Sequence, residues 1–170
     1  LVYHLNHEHD LFLKKAHNLY FNENGLNPMA FKSLKRFEHE VVKMAADLLN
    51  GDENVVGTMT SGGTESCLLP VMACRELARS KKKWGKFQPE IIAPESIHVA
   101  WQKAAEYFNV KMVGIPLKDD FTVDVDILKK RINKHTILIA ASAPSYPHGV
   151  IDPIEAIGLI AHAKKIPFHV

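Results

Sequence analysis

The sequence predicts an α/β fold built on a mainly parallel sheet with helices on both faces, and three observations predict it. From residue 54 onward, short apolar runs alternate with stretches whose apolar residues recur at helical spacing. Two adjacent glycines, Gly62 and Gly63, open one of those helical stretches. Three polar loops, 61–66, 94–98 and 142–149, each follow a predicted strand. In an open parallel sheet such loops gather at the carboxyl ends of the strands, where ligands bind.

Residues 7–22 are expected to form a helix with a mixed polar face, and 22–28, rich in Asn and Gly, a loop. A second helix is expected over 33–49, with Leu34, Phe37, Val41, Met44, Ala45 and Leu48 at helical spacing. Asn50-Gly51-Asp52 closes it, with Gly51 expected at the left-handed position. Val55 to Met59 is the first short apolar run, and the glycine loop leads into a helix over 64–82. A buried strand follows at 90–93, then a helix capped by Ser96 that carries Ile97, Trp101, Ala104, Ala105 and Phe108 on one stripe. The remaining elements are a strand at 111–116, a helix at 125–132, a strand at 136–141, a helix at 153–164 opened by Pro153, and a strand at 167–170. Two regions result: an N-terminal helical segment, 1–50, and the first part of a large α/β domain, 51–170.

Composition sets limits. With 46% apolar and 24% charged residues over 170, the chain has enough apolar mass for one sizeable core. A formal charge of +2 is too small to indicate nucleic acid, and the basic run Arg79, Lys81, Lys82, Lys83 and Lys86 reads as a solvated helix end. Cys67 and Cys74 lie seven residues apart on one helix, about 10 Å by helix rise and too far for a disulfide. They read as small core residues, which suits a reducing compartment. No apolar run reaches the length of about 18–20 residues that a membrane span needs, and no signal peptide is visible at Leu1. The chain begins without methionine and ends on the apolar run Phe168-His169-Val170, so it is expected to be a segment of something longer.

Ser61-Gly62-Gly63-Thr64-Glu65-Ser66 carries the most chemistry. Glycines ahead of a helix leave its first N–H groups uncovered, and the macrodipole adds positive charge there, which suits a phosphate monoester. The loop lacks the Gly-Lys-Ser/Thr of a nucleoside-triphosphate cradle and the third glycine of a dinucleotide fingerprint. Thr64 adds a hydroxyl donor, and Glu65 is expected to point away from the anion. A plain tight turn is the competing reading of the two glycines. His98 is expected in the first turn of its helix, either lying flat against a planar heterocycle or serving as a capping or merely exposed histidine. His148, in the loop 142–149 stiffened by Pro144 and Pro147, is either an acid–base group or a loop histidine. The cluster His4, His7 and His9 lacks the His-Glu-x-x-His order, so no metal site is expected.

Taken together, these residues resemble the pyridoxal-phosphate-dependent group II decarboxylase family, and within it the lyase branch that acts on sphingosine 1-phosphate. The match runs through Gly57-Thr58-Met59-Thr60-Ser61-Gly62-Gly63-Thr64-Glu65-Ser66, His98 with Lys103-Ala104-Ala105, Ser142-Ala143-Pro144, and Pro147-His148-Gly149-Val150-Ile151-Asp152-Pro153, and covers about residues 35 to 170. The Pro-His-Gly of the third loop tilts the resemblance toward the lyases. It implies the large domain of a fold type I enzyme, present only in part, with pyridoxal 5'-phosphate as cofactor. It implies that Gly62, Gly63 and Thr64 hold the cofactor phosphate, that His98 stacks on the pyridine ring and that Ser142 lies near the cofactor. His148 takes the catalytic role, and Asn27, in Asn27-Pro28, a substrate contact. The histidine that often follows that pair in lyases is absent. The family's pyridine-nitrogen aspartate would follow Val170 and its Schiff-base lysine lies further on, so this segment alone is not expected to be catalytically competent.

The implied reaction is retro-aldol cleavage of a phosphorylated long-chain amino alcohol to a fatty aldehyde and phosphoethanolamine, in a homodimer with shared active sites. Two alternatives stand beside it: decarboxylation of an aromatic or acidic amino acid with the same cofactor, and a phosphate-binding segment without turnover. Location is left open between the cytoplasm, a host-directed bacterial enzyme and a membrane anchor outside this chain.

Overall fold

A computed structural model describes residues 4–23, 25–27, 29–81 and 88–170. Two compact units divide the chain, Leu1–Met59 and Thr60–Val170.

The first unit holds two helices. α1, His7–Leu19, starts where the Asn6 side chain accepts the His9 N–H at 2.8 Å. α2, Lys32–Leu48, carries the apolar stripe foreseen from its spacing, yet neither α1 nor α2 buries a residue. α2 ends in a Schellman turn: Gly51 N–H donates to the Ala46 carbonyl at 2.7 Å and Asn50 N–H to that of Asp47 at 3.3 Å. The left-handed residue is Asn50, φ 57°, not Gly51 as expected. Glycine is required at 51 for another reason, because a Cβ there would stand 2.7 Å from Val55 Cγ2. The run 55–59 forms no strand. Its Met59 N–H and Thr58 hydroxyl are both taken by the Glu38 carboxylate at 2.7 Å, in place of ladder partners.

The second unit is the α/β layer structure. Its helices and strands are α3 (Gly63–Lys81), β1 (Glu90–Pro94), α4 (Ala100–Tyr107), β2 (Lys111–Ile115), α5 (Val125–Arg131), β3 (Thr136–Ala140), α6 (Ile154–Lys164) and β4 (Phe168–His169). The expected end of α3 at Lys82, and Lys82, Lys83 and Lys86 of the basic run, lie outside the described residues; Arg79 pairs with Glu76 at 3.1 Å. The strands pair in parallel in the order β2-β1-β3-β4. β1 and β3 are buried along their whole length, as expected of central parallel strands covered on both faces.

Side chains alternate between two cores. Ile91, Ala93, Leu138 and Ala140 face α3 and α4, meeting Val71, Trp101, Ala104 and Ala105, with Cys67 and Cys74 packed at the margin as free thiols. Ile92, Ile139 and Ala141 face α5 and α6, meeting Leu128, Ile157 and Ala161. α4 ends in a second Schellman turn with Asn109 left-handed, φ 52°, and Val110 N–H on the Ala105 carbonyl. Among the described residues no helix is long and apolar enough to cross a membrane.

Candidate functional site

The strand order reverses at β1. The chain moves outward from β1 to β2, then returns to place β3 on the other side. The loops leaving β1 and β3 therefore pass to opposite faces of the sheet, which makes this the topological switch point where open parallel sheets usually take a ligand. His98 lies in the first of these loops and Ser142 in the second.

The glycine loop comes to the same end of the unit. α3 and α4 pack on one face of the sheet, and each feeds the amino end of the strand that follows it. Near the closing end of α4, the Arg75 guanidinium donates to the Phe108 carbonyl at 3.0 Å. The opening ends of both helices thus lie toward the carboxyl edge.

At the start of α3 the first helical bond runs from Ser66 N–H to the Gly62 carbonyl, 3.1 Å. The N–H groups of Gly63, Thr64 and Glu65 have no carbonyl one turn earlier in the helix to donate to. Cβ atoms built at Gly62 and Gly63 meet nothing within 4 Å, so the space before these amides is open. Side chains on either side fix the loop. Glu65 Oε2 accepts the Ser61 N–H and hydroxyl, both at 2.6 Å, and these bonds hold its carboxyl below the usual range. The Thr60 and Ser66 hydroxyls meet at 2.7 Å. Glu65 thus spends its charge on Ser61. An open row of backbone donors fits a phosphate monoester.

His98 stands two residues before α4. Its Nδ1 accepts the Ala100 N–H at 3.2 Å, which leaves the proton of the neutral ring on Nε2. Ser96 does not cap this helix: its hydroxyl is shut from solvent without a hydrogen-bond partner, and Val99 is the first flanking residue. The imidazole takes the first helical N–H, the capping role that its position also allowed, while the expected serine takes none.

The β3–α6 loop is organised by a residue that the motif contained and to which sequence reasoning gave no role. Asp152 is buried, accepting the Ser142 N–H at 2.9 Å on one oxygen and the Val123 N–H at 3.1 Å on the other. The turn at its tip closes through Ser145 N–H to the Val150 carbonyl and Gly149 N–H to the Ser145 carbonyl, both 2.8 Å. Gly149, φ 68°, takes the left-handed position. His148 is exposed on this turn, and its ring lies on that of Phe121, centroids 4.5 Å apart and planes 12° from parallel. At the end of β4, the half-buried His169 meets Trp101 edge-on at 5.0 Å, and burial lowers its pKa.

Asn27 belongs to the first unit, where its side-chain oxygen accepts the Met29 and Ala30 N–H groups at 3.2 Å. Pro28 lies outside the described residues.

The aminotransferase class-V family model matches residues 14–170. A sphingosine-1-phosphate lyase of Arabidopsis thaliana is 44% identical over 167 residues, covering 95% of this chain and 30% of the relative. An L-aspartate decarboxylase of Thermococcus kodakarensis is 39% identical over 159 residues, 94% of this chain and 40% of the relative. The structure of a Burkholderia pseudomallei sphingosine-1-phosphate lyase superposes with a TM-score of 0.89 at 35% identity, over 97% of this chain and 39% of that one. The chain thus spans about a third of the length of the relatives it matches.

Proposed function

The chain belongs to the aminotransferase class-V family, and from that membership we propose that it is the cofactor-binding part of a pyridoxal-phosphate-dependent carbon–carbon lyase. The substrate is a phosphorylated long-chain amino alcohol, sphingosine 1-phosphate, cleaved to a fatty aldehyde and phosphoethanolamine. The observation that carries this reading is the open, amide-lined start of α3 behind Gly62 and Gly63, found in a chain 44% identical to a sphingosine-1-phosphate lyase.

In this reading the N–H groups of Gly63 and Thr64, the space at Gly62 and the Thr64 hydroxyl hold the cofactor phosphate. The His98 ring, held at its Nδ1 edge by the Ala100 N–H, would lie against the pyridine. Ser142, held by Asp152, borders the cofactor. Pyridoxal phosphate, when bound, supplies the sink for the electron pair released at C2. His148 would accept the proton of the C3 hydroxyl, whose O–H electrons form the aldehyde carbonyl as the C2–C3 bond breaks; a proton taken up at C2 completes phosphoethanolamine. Asn27 contacts substrate. The division into an N-terminal helical segment, 1–50, and the first part of the cofactor domain, 51–170, belongs to the same proposal. So does a homodimer with shared sites, which the uncovered stripe of α2 supports.

Amino-acid decarboxylation is the second reading, favoured by the L-aspartate decarboxylase relative. Full-length enzyme loaded with cofactor separates the two. Fatty aldehyde from sphingosine 1-phosphate, without CO2 from aspartate, glutamate or aromatic amino acids, is the expected result; CO2 alone would establish the decarboxylase, and neither product a phosphate-binding protein without turnover.

A further inference from the structure

Phe121 occupies a place that stability does not account for. It is bulky and half-exposed, and its φ of 63° lies in the left-handed region that disfavours such side chains. The turn holding it is closed on both sides. Lys118 N–H donates to the Thr122 carbonyl at 2.8 Å, Phe121 N–H to the Lys118 carbonyl at 2.9 Å, and Leu117 bridges Val123. Asp120 accepts the Thr122 N–H at 2.9 Å and its hydroxyl at 2.6 Å. Glycine or asparagine would fit such a position without strain.

What the phenyl ring does there is lie under His148, at 4.5 Å and within 12° of parallel. The two turns also share a root. The buried Asp152 carboxylate takes Val123 N–H from the Phe121 turn and Ser142 N–H from the His148 loop. With both backbones fixed at one carboxylate and the histidine turn closed on itself, the phenyl ring is left to set the remaining freedom, the rotation of the imidazole.

We infer that Phe121 is a positioning residue that sets the plane of the His148 imidazole, so that the 117–123 turn is the seat of the proton-accepting group. The inference rests on the reading of His148 as that group. A base misdirected by a rotation of its ring loses catalytic efficiency without losing substrate affinity.

The test uses full-length, cofactor-loaded enzyme. Phe121→Gly relieves the backbone and removes the ring, so it should melt no lower than wild type while kcat falls about 3- to 10-fold with KM within about 2-fold. Phe121→Leu, which keeps apolar bulk without a flat face, should lose as much, and Phe121→Tyr should retain wild-type kcat. In a His148→Gln background, Phe121→Gly should cost nothing further. An equal loss in both backgrounds, or a loss carried by KM, would overturn the inference. If His148→Gln is impaired and the Phe121 variants are silent, this inference falls alone. If His148→Gln keeps full kcat, the reading of His148 falls and takes this one with it.

Discussion

Two stretches with equally clear apolar periodicity have opposite fates. In Thr60–Val170, Ile91, Ile92, Leu138 and Ile139 are all but sealed from solvent. In Leu1–Met59, the stripe of α2 leaves Phe37 43% exposed, Met44 61% and Leu48 82%. Both patterns specify secondary structure; the first is sealed, whereas the second stays largely open to solvent although Phe37 meets Tyr20 edge-on at 6.0 Å. A helical repeat says which face is apolar and nothing about what covers it. Stability should therefore reside in the second unit, with the first unit's apolar face serving association.

The largest effect should come from the sealed side. Ile139→Ala opens a cavity between β3, α5 and α6 and should cost about 2–5 kcal/mol in denaturant unfolding, independent of protein concentration. Asp152→Ala strands the Val123 and Ser142 N–H groups and should cost about 2–4 kcal/mol by the same measurement. Against these, Phe37→Ser combined with Met44→Ser should leave the unfolding midpoint of the second unit in place and weaken subunit association about 10- to 100-fold by sedimentation equilibrium. A large fall in intrinsic stability from that pair, with association intact, would break the contrast.

Legibility followed the same division. The strands at 90–94, 111–115 and 136–140 were readable because both their faces are apolar, and α3 because its stripe meets them. The run 55–59 carried the same signal and is no strand, since apolar composition cannot reveal that Glu38, some twenty residues earlier, takes its donors. Local capping misled at Asn50, which stands where Gly51 was expected; at the start of α4 the sequence offered both Ser96 and His98, and His98 takes the Ala100 N–H. In each case two neighbouring residues were chemically able and tertiary fit chose between them. The backbone amides at Gly63 and Thr64 were legible because they depend on local sequence alone. The pairing of Phe121 with His148 was not, since it joins two loops from different crossovers; the signal present was an aromatic residue inside the polar turn Asp119-Asp120-Phe121-Thr122.

The smallest expected effect concerns acid. His169 is half-buried and its pKa is lowered by burial, so the folded chain resists protonating it. The unfolded chain takes up that proton first as pH falls below about 6.5, so the stabilisation present above that value is lost through the window down to the lowered folded pKa. His169→Phe should flatten the fall in thermal midpoint as pH drops below about 6.5.

The amide cradle at α3 is the centre of the account, and two glycines offer a matched test of it. Gly25 and Gly63 both have open space where a Cβ would stand, one in each unit, so aspartate fits sterically at either. Titration of full-length apoenzyme with pyridoxal phosphate should show Gly63→Asp binding about 100-fold more weakly than wild type, because the new carboxylate meets the phosphate at the helix start, while Gly25→Asp binds unchanged. Undiminished affinity in Gly63→Asp would contradict the cradle and the function built on it.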